Sequence, residues 1–230
     1  MSVSNAMLGV PGRLLNPPSI SYQKGNNSVR NPRGASWNLQ GVKFVKPAEL
    51  SRWSAMIIQE PNATVQSSTG KAIVEAFQNS AATYGMKTAP ATLRLPDGGA
   101  APIITLPRER EAREWKSLVQ IISPHMERLA KSGIRIVYVL LPGSDKAVYS
   151  AVKYCGDIKY GIGTVCSHTS KASAPGPRQA QYLANVALKF NLKLGGMNHL
   201  ISLPPDSQKT FDGKKTMLVC LECFFIWTRN

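Results

Sequence analysis

From Trp53 onward the chain alternates short apolar runs with longer segments of helical period. WSAMII (53–58) reads as a buried strand. SSTGKAIVEAFQNSAATYGM (67–86) reads as a helix capped near Ser67 or Ser68 and ending around Gly85. ATLRLPDGGAAP is a Pro- and Gly-rich loop, and IITL (103–106) a short strand. PREREAREWKSLVQII is an amphipathic helix with Trp115, Leu118, Ile121 and Ile122 on one face. Pro124 stands where it would kink that helix, and Gly133 ends it. IRIVYVLL (134–141) is the clearest strand, and its nearly all-apolar run suits a strand covered on both faces. The turn PGSDK, a short helix AVYSAVKYCG and a second buried strand, GIGTVC (161–166), follow. The polar loop SHTSKASAPGPR leads into a helix, QAQYLANVALKFNLKL, stopped by Gly195 and Gly196. Strand, helix, strand, helix in this order predicts an α/β fold with a parallel sheet between helices. Ligands in such folds are expected beyond the carboxyl ends of the strands. Residues 1 to about 50 are rich in Pro, Gly, Asn and Ser with little periodicity, and read as an extended segment that lies against something else.

Composition adds one strong constraint. The 230 residues are 43% hydrophobic, enough for one sizeable core, and carry a net charge of +15. That charge favours polyanionic partners. From Gly161 onward the only carboxylates are Asp206, Asp212 and Glu222, against eight lysines and arginines. No apolar run approaches the roughly 20 residues of a membrane helix, and the start lacks the pattern of a secretory signal. A cytoplasmic protein without a membrane partner is expected. Cys155, Cys166, Cys220 and Cys223 are too few for a disulfide framework, and Cys220-x-x-Cys223 has no second pair to complete a zinc site. Gly70-Lys71 is not a P-loop, because Val65 stands where that motif needs glycine. No G-x-G-x-x-G occurs, and His125, His168 and His199 have no convincing carboxylate partners; these absences argue against a nucleotide-binding enzyme.

The candidate chemistry lies between residues 143 and 193. Tyr149 and Lys153 are four residues apart on one helix and share a face; Lys189 and Lys193 repeat the spacing on a later helix. Two lysine pairs, a phenol and free backbone N–H groups at a strand–helix junction form an inventory suited to a terminal phosphate. By spacing alone, the pairs fit an ordinary solvated basic surface equally well.

LLPG, YSAVKY, GIGTVC and QYLANVALKFNLKLGGMN, in this order, resemble the Mid domain of eukaryotic Argonaute proteins. The L-K-x-N-x-K-x-G-G-x-N ending is the most specific piece. VPGRLLNPPSISYQ followed by WNLQGVKF resembles the linker between PAZ and Mid, and PDSQKTFDGKKTMLV the start of PIWI. The resemblance implies a Rossmann-like Mid domain at 51–200 with a mostly parallel central sheet, an extended linker at 1–50, and a truncated PIWI-like start at 201–230. It also implies roles. Tyr149 would stack on the first guide base; Tyr149, Lys153, Cys166 (through its backbone), Lys189 and Lys193 would hold a 5′ phosphate. Asn185 would reach the next nucleotide's phosphate, and the loop Gly143, Ser144, Asp145, Lys146 would face the first base. The implied partners are a small single-stranded guide RNA with a 5′ phosphate, and silencing-complex proteins. No cofactor, metal site or catalytic residue is expected: Glu222 stands where the family's first PIWI carboxylate would fall, but one carboxylate assembles no metal site. A truncated, non-cleaving relative acting as a regulatory or protein-interaction module is the alternative. Three positions depart from the family pattern. Tyr154 follows Lys153 where arginine is usual, Val165 precedes Cys166 where glutamine is frequent, and the 143–146 loop is about one residue longer.

Overall fold

The structure, a computed structural model, describes residues 9, 16–23, 29–30, 32, 37–62, 67–91, 102–109 and 111–205. In chain order the elements are β1 (Ser19–Ser21), β2 (Val29–Arg30), β3 (Glu49–Leu50), β4 (Trp53–Gln59), α1 (Ser67–Thr83), β5 (Lys87–Thr88), β6 (Ile103–Thr105) and α2 (Trp115–Lys131). They continue with β7 (Ile136–Leu141), α3 (Lys146–Lys153), β8 (Gly163–His168), α4 (Thr169–Ala172), α5 (Pro177–Lys193) and β9 (Leu200–Ser202). The central sheet has the order β6-β4-β7-β8, and every pairing in it is parallel. This is the α/β architecture that the sequence pattern predicts, in the Rossmann-like form that the resemblance implies.

The apolar runs explain the layering. Along β7, Ile136, Tyr138 and Leu140 enter one core with α1 and α5, while Val137, Val139 and Leu141 enter a second with α2 and α3. Strand β4 divides likewise, with Trp53, Ala55 and Ile57 on the first face and Met56 and Ile58 on the second. A period of two with both faces apolar is what a central strand between two helical layers requires.

Several details differ from the expectations. Helix α2 runs through Pro124 without a break. A 3-10 turn at Glu111–Arg113 precedes it, so the charged PRERE stretch is not helical from its start. Helix α3 does not stop near Gly156; it passes into a π-helical segment, Tyr154–Tyr160, closed by Gly161 in the left-handed region. The polar loop after β8 contains α4.

The N-terminal stretch does lie against the rest. β1 pairs antiparallel with β9, and Lys46 and Met197 exchange two backbone hydrogen bonds of 2.9 Å. Phe44 is fully buried and stacks on Tyr84, with ring centroids 5.3 Å apart. Among the described residues no helix is long and apolar enough to cross a membrane. Cys220, Glu222, Cys223 and the FFIW cluster lie outside the described residues.

Candidate nucleic-acid interface

Among the described residues β8 is an edge strand, and its open side builds the site. Gly163 donates its N–H to Arg135 O of the neighbouring chain segment, so by strand alternation Thr164, Cys166 and His168 present their backbone groups outward. Two of these amides are already used. Thr164 N–H donates to Asp157 Oδ1 at 2.9 Å, and His168 N–H to the Tyr182 hydroxyl at 3.2 Å. The Cys166 amide lies between them on the same edge.

Helices α3 and α5 flank this edge from opposite faces of the sheet. Tyr149 and Lys153 do share a face, with Lys153 Nζ 5.6 Å from the centre of the Tyr149 ring. Lys153 Nζ donates to Thr164 O at 2.7 Å and to Thr164 Oγ1 at 2.8 Å. Lys193 arrives from the end of α5. The two lysines meet at a residue the sequence reading passed over: Asp157 Oδ2 lies 3.5 Å from Lys153 Nζ and 3.6 Å from Lys193 Nζ. Both ammonium groups on one oxygen must sit within about 7 Å of each other, where their mutual repulsion is roughly 2 kcal/mol in a surface-like dielectric. The carboxylate offsets that repulsion. Its signal was legible as Lys153-x-x-x-Asp157, an i,i+4 pair inside a stretch read only for its cations.

Electrostatics place the remaining members. Burial pushes the Cys166 thiol up to about 11; Asp157 adds to this, while Lys153, Lys193 and Lys189 act against it. All three lysines are thus near enough to act on Cys166 by charge. Burial also raises the Tyr149 phenol, aided by Cys166 and Asp157. It stays a neutral hydroxyl donor, and its ring is 47% exposed. Thus Tyr149, Lys153, Cys166, Lys189 and Lys193 gather around the β8 edge. They do not lie beyond the carboxyl ends of the strands, because an edge strand offers outward amides along its whole length.

Other predicted residues stand elsewhere. The loop Gly143, Ser144, Asp145, Lys146 joins the carboxyl end of β7 to α3, one turn before Tyr149. Within it Asp145 is the N-cap of α3, and its Oδ1 accepts from Ala147 N at 2.8 Å and Val148 N at 3.2 Å. Asn185, one helical turn before Lys189, lines a separate cleft of about 760 Å³ with Trp37, Gln40, Tyr84 and Gln181. The departures also have positions. Tyr154 packs edge-on against Trp115 at 5.0 Å, and Val165 is buried under α5, on the opposite face from Cys166. Among the described residues no group of three or more His, Cys, Asp or Glu side chains could hold a metal ion.

Comparison with known proteins fits this geometry. The Piwi domain family matches residues 136–230, which include β7, β8, α3 and α5. The solved MID-PIWI domains of the N. crassa QDE-2 AGO protein align at 28% identity with a TM-score of 0.52, over 69% of this chain. The chain is thus similar to Argonaute proteins across its sheet and flanking helices. Kluyveromyces polysporus Argonaute, solved with a guide RNA, aligns over 86% of this chain at 21% identity and a TM-score of 0.56. Drosophila Piwi aligns over 84% at 15% identity and a TM-score of 0.54. At those identities the last two speak for the fold alone. The chain spans 38% of the QDE-2 structure, 22% of the Kluyveromyces structure and 24% of the Drosophila one.

The ending L-K-x-N-x-K-x-G-G-x-N divides into two kinds of residue. Lys189 and Lys193 belong to the cation cluster. Asn191 is fully buried; its Oδ1 accepts from Ala48 N at 2.7 Å and its Nδ2 donates to Asn198 Oδ1 at 2.8 Å. Gly195 is left-handed at φ 81°, and a Cβ on Gly196 would collide with the Asn191 amide. The asparagines and glycines therefore fix the end of α5, and so the place of Lys193.

Proposed function

We propose that this chain binds the 5′-phosphorylated end of a small guide RNA at the β8 edge. The observation that carries the reading is the convergence of Lys153 and Lys193, from opposite layers of the sheet, on one point beside the exposed Tyr149 ring. Lys153, Lys189 and Lys193 supply positive charge, the Tyr149 hydroxyl and the Cys166 amide supply donors, and the Tyr149 ring supplies a stacking face. The loop 143–146 lies one turn from that ring and biases the first base. Its contribution comes from Gly143, Ser144 and Lys146, since Asp145 caps α3. Asn185 extends the site along α5 toward the second nucleotide's phosphate. In this reading residues 1–50 act as the linker, 51–200 as the Mid domain and 201–230 as the start of a PIWI region. The chain holds a guide and does not cut.

The test is a titration of the full chain with a labelled short RNA carrying either a 5′ phosphate or a 5′ hydroxyl. Tighter binding of the phosphorylated RNA is expected, and equal binding overturns the proposal. Titration with UMP, AMP, GMP and CMP then reads the base preference of the loop. Cleavage of a complementary target by the guide-loaded chain would contradict the non-cutting role.

A further inference from the structure

We infer that Asp157 is a positioning residue of this pocket: its carboxylate keeps Lys153 and Lys193 trained on the β8 edge, and selectivity for a terminal phosphate depends on it. The inference rests on the guide-end reading above.

The carboxylate is held in place. Oδ1 accepts from both the N–H and the Oγ1 hydroxyl of Thr164, each at 2.9 Å, which ties the π-helical segment to β8. Oδ2 is thereby fixed between the two lysines. Among the described residues no other carboxylate forms an ion pair with Lys153, Lys189 or Lys193. Three lysines against one carboxylate leave a local charge of about +2, which matches a terminal phosphate dianion.

Asp157 could instead compete with the phosphate for the lysines, and the distances argue against this. At 3.5 and 3.6 Å the Oδ2 contacts are longer than the roughly 2.7–2.9 Å of a charge-assisted hydrogen bond. Lys153 aims its short bonds at Thr164 instead. Asp157 therefore centres the ammonium groups by charge without consuming their donors. A site whose cations are ordered before the ligand arrives does not lose their side-chain entropy on binding.

The experiment uses the full chain and the Asp157→Asn variant, which keeps an acceptor for Thr164 and removes the charge. Affinity for 5′-phosphorylated RNA is expected to fall about tenfold or more, with 5′-hydroxyl RNA unchanged within about twofold. The preference ratio then collapses while the melting temperature moves by only a few degrees. Asp157→Glu, which retains the charge, is expected to keep most of the ratio. Tighter binding of both RNAs by Asp157→Asn, or an unchanged ratio, overturns the inference. If the wild-type chain shows no phosphate preference, the guide-end reading fails instead. The NMR order of the Lys153 and Lys193 side-chain methylenes then decides the matter. Order lost in Asp157→Asn and kept in Asp157→Glu supports the hold; equal mobility in all three chains overturns it.

Discussion

Lys189 and Lys193 show what a single side chain can and cannot do here. Replacing both with alanine removes two of the three cations around Cys166 while leaving the buried face of α5 untouched. The expected outcome is loss of the preference for phosphorylated RNA, by about tenfold or more, with an unchanged circular dichroism spectrum. Cys166 gives an independent probe of the same place. Its thiol, raised from the ordinary 9.0 to about 11 by burial, stays protonated at pH 8. Alkylation by iodoacetamide, followed by mass spectrometry, should therefore be slow at pH 8 and accelerate as pH approaches 11. The folded thiol keeps a proton that the unfolded thiol has lost between about pH 9 and 11, so this group's contribution to stability falls as pH rises through that window.

At the scale of elements, the π-helical segment decides whether the cations meet. It lies so close to β8 that a Cβ on Gly156 would collide with Thr164 Cγ2. Gly156→Ala should push the segment off the strand, costing about 1–3 kcal/mol and lowering the denaturation midpoint in urea. Because the shift also displaces Asp157, phosphate preference should fall with it. Helix α5 is fixed at its other end by Asn191. Asn191→Ala removes a fully buried side chain and leaves the half-buried Ala48 amide without its acceptor, an expected cost of about 1–3 kcal/mol, again read by urea denaturation.

At the scale of the molecule, two features extend beyond the pocket. The segment before β4 contributes Tyr22, Val42 and Phe44 to buried positions and pairs β1 with β9. A chain beginning at residue 51 should therefore be markedly less stable, with Tyr84 newly exposed; a lower melting temperature would show it. The net charge of +15 acts everywhere at once. Lys46, Arg52, Arg135 and Lys193 line a cleft of about 970 Å³ at the amino ends of β7 and β8. Changing Arg52 and Arg135 to alanine should weaken binding of phosphorylated and hydroxyl RNA equally, and flatten the dependence of affinity on salt, without changing their ratio.

Much of the fold was legible in the sequence, because buried strands and amphipathic helices write their own periodicity. The apolar run 134–141 announced a central strand, and the order of elements announced a parallel sheet. The ending at 188–198 carried the resemblance and four structural residues, Asn191, Gly195, Gly196 and Asn198. Local pattern could not show that β8 lies at the sheet edge, that α3 and α5 reach it from opposite layers, or that α3 continues as a π-helical segment. Those depend on strand order and helix packing, which join residues far apart in the chain. For that reason Asp157 read as one more charge on a helix. Only the folded chain sets its carboxylate between Lys153, four residues before it, and Lys193, at the end of a different helix.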